Sequence, residues 1–189
     1  MAKIKRTFII FALFSLILGT IFGFLIFFTR ASDDLPYLFI HQHGLSTYYQ
    51  TFFLLLIAWE IFYFKKIRSL IIIRKMKSLF LYQLCLSIGA NLILFILGLF
   101  LPFIFTGTFS FKYGNLIYGS LIILLHFIIL AILTWCLILL YNSKYPVIWL
   151  LLILFINIFY HQTLETNYLI IHYSKYFDPL WRAMHNVYI

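Results

Sequence analysis

The chain of 189 residues is far more apolar and far less charged than a water-soluble domain of its size. Hydrophobic residues make up 65% of the sequence and charged residues 10%, whereas soluble domains are about 45–50% apolar and about 25% charged. A disordered chain is excluded as well, because disordered proteins are poor in aromatic residues, which form 22% of this sequence. The composition therefore predicts an integral membrane protein.

Five apolar stretches predict transmembrane helices. A helix needs about 20 apolar residues to cross a hydrocarbon core of about 30 Å. The first stretch is longer than the roughly 7–15 apolar residues of a signal peptide. We therefore expect it to remain in the protein as a transmembrane helix and not to be cleaved. The predicted fold is all-α, a polytopic bundle forming one membrane domain over 1–189, with a tail at 161–189 that lies on the outer membrane surface as short helices. The predicted spans are 7–29, 48–64, 78–105, 116–141 and 145–160.

The positive charges predict which loops face the cytoplasm. Ten of the 14 Lys and Arg residues lie in the N-terminal segment and in the loops after the second and fourth spans. Because cytoplasmic loops carry an excess of Lys and Arg, we expect the N-terminus inside and the C-terminus outside. The cations flank apolar runs instead of lining one polar surface, which argues against nucleic acid as a partner. A composition rich in Ile, Phe, Leu and Tyr is typical of an AT-rich bacterial genome, so we expect a multi-pass protein of the bacterial plasma membrane.

Small residues recur every four positions in the first predicted span. Ser15, Gly19 and Gly23 lie on one helix face, and small residues at this spacing let two helix backbones approach closely. Two interpretations remain open at this point. The face either contacts another subunit or packs within the bundle of this chain.

A polar face is predicted in the third span, where Gln83, Ser87 and Asn91 follow one another at steps of four residues. Asn91 lies near the middle of its span, as His126 does in the fourth. Polar groups in hydrocarbon need partners, because an unsatisfied polar group there is costly. These four residues are candidates for a hydrophilic path, and the alternative is hydrogen bonding between helices at about 0.6 kcal/mol each.

Glu60 is the one acidic residue inside a predicted span. Carboxylates within a membrane are candidates for proton relays. Glu60 lies about one turn from the end of its span, however, near Lys65 and Lys66. A structural ion pair or an anchor at the membrane interface is the other interpretation.

The sequence offers little support for catalysis, metals or cofactors. Five histidines fall outside the predicted spans, and His41 and His43 would share one face of an extended segment. Without a third ligand at a convincing spacing, we predict no metal site. The common hydrolase and ATP-binding motifs do not occur, so we expect no enzyme activity and no cofactor. Cys85 and Cys136 lie in apolar runs, where buried free cysteines are typical.

The basic loop at 65–77 brackets an apolar centre with cations. An excess of cations is the ordinary signal for a cytoplasmic loop, but its central isoleucines need lipid or protein to cover them. We therefore predict a docking element for a cytoplasmic partner. Its candidate residues are Lys65, Lys66, Arg68, Ile71, Ile72, Ile73, Arg74, Lys75 and Lys77.

The order of these features resembles the membrane subunit of ABC-2-type exporters over 1–160. A cytoplasmic N-terminus, a first span, an outer loop and a second span ending near Glu60 are followed by a basic segment, with 74–77 standing where that family has its coupling cations. The Gly-Thr and Pro usual in that segment, and a sixth span, are missing here. The resemblance implies a shortened relative, or a subunit that needs a partner permease.

We therefore expect a permease-type transmembrane subunit of a bacterial ABC exporter, for a peptide or an antimicrobial compound. Its partners would be the lipid bilayer and a separate cytoplasmic ATPase docked on 65–77, a second membrane subunit, or both. The alternative is a non-transporting accessory or immunity protein that binds a membrane partner through the Ser15–Gly19–Gly23 face.

Overall fold

The computed structural model of the protein describes residues 2–30, 34–41, 43–67, 77–107 and 111–185. Within these ranges every regular element is helical, as the sequence predicts. The long helices are α1 (Ala2–Arg30), α2 (His43–Lys65), α3 (Lys77–Thr106), α4 (Leu116–Cys136) and α6 (Pro146–Tyr160). The short elements are a π-helical turn (Tyr37–His41), α5 (Leu139–Asn142), a π-helix (His161–Leu169), α7 (Ile170–Tyr173), a 3-10 turn (Lys175–Phe177) and α8 (Pro179–His185).

Local sequence signals explain several helix ends. Asn115 begins α4, where its side-chain oxygen accepts a hydrogen bond of 2.8 Å from the backbone N–H of Ile117. Pro146 is the first residue of α6, a position at which the missing N–H of proline costs nothing. Gly107 follows α3 with a φ of 67°, the left-handed conformation that glycine adopts most readily.

Apolar side chains form the outer surface of the bundle as well as its core. Ile148 and Phe155 on α6 are each 65% exposed. Soluble monomers rarely expose large continuous apolar surfaces, so the protein is membrane-embedded. Four helical runs are long and apolar enough to cross a membrane, namely Arg6–Phe28, Ser78–Thr106, Leu116–Asn142 and Pro146–Tyr173.

Helix α2 lies at the centre of the bundle, against α1, α4, α5 and α6. Its 23 residues are enough for the predicted second span, but Tyr49, Gln50 and Glu60 make it less apolar than the other four. All three side chains are buried. Polar groups of membrane helices usually face the bundle interior, because contact with lipid is costly for them. That α2 crosses the membrane stays a prediction.

The small-residue face of α1 packs against α3. A Cβ atom added at Gly19 would collide with the carbonyl oxygen of Phe95, and one added at Gly23 would lie 2.6 Å from that of Leu99. Gly98 completes the crossing from the α3 side, because a Cβ there would lie 2.7 Å from the carbonyl oxygen of Leu16. Of the two interpretations of Ser15, Gly19 and Gly23, the structure shows packing within the chain.

The last long helix is longer than the sequence indicated. We expected the fifth span to end at residue 160 and the tail to lie on the membrane surface. Instead α6 continues without a break through the π-helix and α7 to Tyr173. Neither Pro nor Gly occurs between Pro146 and Pro179, so nothing in the backbone ends the helix at Tyr160. Only the end of the tail forms short separate helices.

Described residues next to the loops form contacts at two ends of the bundle. At one end Asp34 meets Lys112 and Tyr173. At the other end the Lys65 ammonium donates hydrogen bonds to the carbonyl oxygens of Leu140 (3.1 Å) and Ser143 (2.7 Å), which caps the last turn of α5. The grouping agrees with loops that alternate between two sides. Which end faces the cytoplasm stays a prediction of the charge distribution.

Candidate functional site

Glu60 forms the first buried polar cluster, together with two residues of the predicted polar face. Ser87 Oγ donates a hydrogen bond of 2.7 Å to Glu60 Oε1, and Asn91 Nδ2 donates one of 2.6 Å to Glu60 Oε2. The Glu60 and Asn91 side chains are fully buried. The predicted interhelical hydrogen bonds are therefore present, and their acceptor is a carboxylate in the bundle interior.

A groove of about 380 Å³ adjoins this cluster between the first halves of α1 and α3. Gln83, Ser87 and Asn91 form its polar wall, and Phe8, Ala12 and Leu86 are among the apolar residues that line the rest. Ser87 and Asn91 thus border the groove and also hold Glu60.

The second buried cluster is centred on His126 of α4 and Glu165 of the π-helix. His126 Nδ1 lies 2.9 Å and 2.8 Å from the two carboxylate oxygens of Glu165, and His161 Nδ1 lies 2.7 Å from Glu165 Oε2. The other ring nitrogen of His126 lies 2.5 Å from the Tyr49 hydroxyl and 2.6 Å from Gln50 Nε2. At most 1% of His126, His161 and Glu165 is exposed. Three helices thus contribute to one polar centre.

An apolar layer separates the two clusters. Gln50 and Glu60 are ten residues apart on α2, or about 15 Å along the helix axis. Between these levels lie Phe53 and Ile57, both fully buried, and Phe95 of α3 stacks on Phe53 with 4.2 Å between ring centroids. The four predicted path residues therefore do not line one continuous channel. Ser87 and Asn91 belong to the Glu60 cluster, Gln83 to the groove, and His126 to the second cluster.

Most of the predicted docking loop lies outside the described residues, which omit 68–76. At its start, Lys65 caps α5, Lys66 is exposed, and Ile67 packs partly buried against the core. Lys77 begins α3. Glu60 accepts hydrogen bonds from Ser87 and Asn91, whereas the Lys65 ammonium donates to Leu140 and Ser143.

The histidines outside the predicted spans differ in burial. His161 is buried in the second cluster because the helix continues past Tyr160. His172 and His185 are exposed. The Nδ1 atom of each lies 2.8 Å from the backbone carbonyl oxygen four residues earlier. The side chains of His41 and His43 lie outside the described part. Cys85 and Cys136 are free thiols and partly buried.

Our sequence analysis missed Tyr49, Gln50, His161 and Glu165 as site residues. A signal for two of them was present. Asn157, His161 and Glu165 recur at steps of four, the same spacing that identified the polar face of α3, and all three are buried. Ending the span at residue 160 divided this pattern between a helix and a tail. Tyr49 and Gln50 gave no comparable signal, because aromatic and polar residues are common near the ends of spans.

The chain matches no protein-family model, no curated protein and no solved structure.

Proposed function

We propose that this protein is a permease-type transmembrane subunit of a bacterial ABC exporter of the ABC-2 type, driven by a separate ATPase. One observation carries the proposal. The polar wall of the groove between α1 and α3 leads directly to Glu60, a carboxylate buried in the bundle. Ionisable groups inside membrane proteins mark substrate or ion pathways.

The separation of the two polar clusters also supports a transport role. A protein that moves a solute must block the path between the two sides at some point of its cycle. Here the block would be the layer around Phe53, Ile57 and Phe95, with Glu60 on one side and Glu165 on the other. A peptide or an antimicrobial compound is the substrate class that the family resemblance implies.

The proposed ATPase docks on the loop at 65–77 through its isoleucines. Purification in mild detergent should then recover a nucleotide-binding subunit, and the complex should hydrolyse ATP. Changing Ile71, Ile72 and Ile73 together to Ser should weaken this association by several powers of ten, because burial of each side chain contributes roughly 1.5–3 kcal/mol.

Neutralising Arg74 and Lys75 to Gln is the matched control for the loop. Its effect should be much smaller, because exposed ion pairs contribute about 0–1 kcal/mol each. An ATPase that stays bound to the triple Ile variant would contradict docking through this loop. Recovery of a membrane partner without any nucleotide-binding subunit would overturn the exporter proposal in favour of the accessory or immunity protein. That alternative has lost most of its original interface, because α3 covers Gly19 and Gly23 and Ser15 is fully buried within the chain.

A further inference from the structure

We propose that His126, His161 and Glu165 form a binding site for a divalent transition-metal ion of the zinc class. The donor atoms of the three side chains all lie within 4.8 Å of one another. The proposal goes beyond the exporter function and does not depend on it.

The donor set is chemically suited to such an ion. Two imidazole nitrogens and one carboxylate oxygen are the protein ligands of many zinc sites that keep a fourth position open. Imidazole favours ions such as Zn²⁺ over Mg²⁺ and Ca²⁺, which prefer oxygen ligands. The prediction of no metal site considered His41 and His43, which have no third ligand at a convincing spacing, whereas His161 and Glu165 were placed in a surface tail.

The geometry is close to what an ion needs. In a tetrahedral site with bonds of about 2.0–2.2 Å, the donor atoms lie about 3.3–3.5 Å apart. The two Nδ1 atoms lie 2.7–2.9 Å from the Glu165 oxygens. A separation larger by about half an ångström, which small side-chain rotations supply, would place all three donors around one ion.

The surroundings of His126 are those of a metal ligand. A ligating histidine usually donates the N–H of its second ring nitrogen to a polar partner, which fixes the ring. For His126 that partner is the buried hydroxyl of Tyr49, 2.5 Å from Nε2. The amide nitrogen of Gln50 lies next to the same ring nitrogen. Rotating this amide by 180° would place its oxygen there instead, as an acceptor.

The local helix geometry aims the ligands at one point. The π-helix begins at His161, and π-helical segments inside α-helices occur frequently at functional sites. His161 and Glu165 share one face of it, opposite His126 on α4. A bound cation would also balance the Glu165 carboxylate, which is costly to bury without an opposite charge.

Metal content is the direct test. Wild-type protein purified without chelators should contain close to one equivalent of zinc-class metal by mass spectrometry, because the closed site slows release. After removal of the metal, added Co²⁺ alone should give the visible absorption bands of a tetrahedral complex. Glu165→Gln and His161→Asn should abolish both signals. The control His172→Asn changes an exposed histidine nearby and should behave as wild type.

Two further measurements separate a metal from a merely structural cluster. Tyr49→Phe should keep the stoichiometry and weaken metal affinity by 10–100-fold, the usual effect of removing a partner of a ligating histidine. A strong chelator should lower the unfolding temperature of wild type and of His172→Asn but not that of Glu165→Gln. If folded wild type carries no metal and binds neither Zn²⁺ nor Co²⁺, the proposal is wrong and the cluster is a proton-sharing His–Glu pair.

Discussion

Asp34 is a single carboxylate that joins three distant parts of the chain. Its Oδ1 accepts hydrogen bonds from the backbone N–H of Lys112 at 2.5 Å and from the hydroxyl of Tyr173 at 2.8 Å. The side chain is fully buried. Burial raises the pKa of Asp34 above its ordinary value of 3.8, and these hydrogen bonds, with those from the backbone of Tyr113 and Tyr37, oppose the rise. The carboxylate therefore holds this end of the bundle together but pays a desolvation cost when ionised.

The raised pKa predicts the pH dependence of stability. Because the folded state binds the proton more tightly than the unfolded state, the stabilisation from Asp34 is complete below pH 3.8 and is lost as the pH rises through the folded pKa. Unfolding temperatures measured in detergent should therefore fall as the pH rises above about 4. Asp34→Asn, which keeps an acceptor for Lys112 and Tyr173, should flatten this dependence.

A comparison variant makes the Asp34 prediction specific. Asp34→Ala should destabilise the protein at every pH, because it leaves two donors without their acceptor. An unchanged slope in Asp34→Asn would assign the pH dependence to another group.

Among the helices, α1 and α3 cross with their backbones in close contact. The groups that would meet a Cβ at Gly19, Gly23 and Gly98 are backbone atoms of the opposite helix. A flexible side chain could rotate away from an added methyl group, but a backbone carbonyl moves only with its helix. The crossing therefore tolerates glycine and little else.

Gly19→Ala tests this crossing. We expect a loss of stability of about 1–3 kcal/mol, the usual cost of overpacking, because the new methyl group would collide with the carbonyl oxygen of Phe95. The midpoint of SDS-induced unfolding in mixed micelles would measure it. Gly89→Ala on α3 is the matched control, since a Cβ there meets nothing within 4 Å, and alanine favours a helix by about 1 kcal/mol. Equal stability of the two variants would contradict the close crossing.

At the scale of the whole molecule, the loops at one end should face one side of the membrane. Asn142 lies at the end capped by Lys65, and Lys175 follows α7 at the Asp34 end; both are exposed. In a background with Cys85 and Cys136 changed to Ala, a membrane-impermeant thiol reagent added to whole cells should label Lys175→Cys and not Asn142→Cys. Permeabilised cells should allow both to react. Labelling of Asn142→Cys in intact cells would reverse the predicted orientation.

The class of the protein, the presence of its helices and several helix faces follow from the amino-acid sequence alone. The apolar content selects a membrane protein because lipid, not water, must solvate such a surface. The spacing of Gly19 and Gly23, and that of Ser87 and Asn91, predicted a packing face and a polar face, because the helical repeat fixes which residues lie together. Both faces are present in the structure.

Which helix faces meet, by contrast, is known only from the folded structure. Glu60 pairs with Ser87 and Asn91, which lie 27 and 31 residues away along the chain. His126 meets Tyr49, 77 residues away, and Glu165, 39 residues away. Helical periodicity predicts which residues share one face of a helix. The residues that this face contacts depend on how the helices are rotated and cross. The extension of the last helix to Tyr173 depends on the same packing. A segment as polar as 161–169 is buried in the bundle only where its polar side chains find buried partners, as Glu165 does in His126.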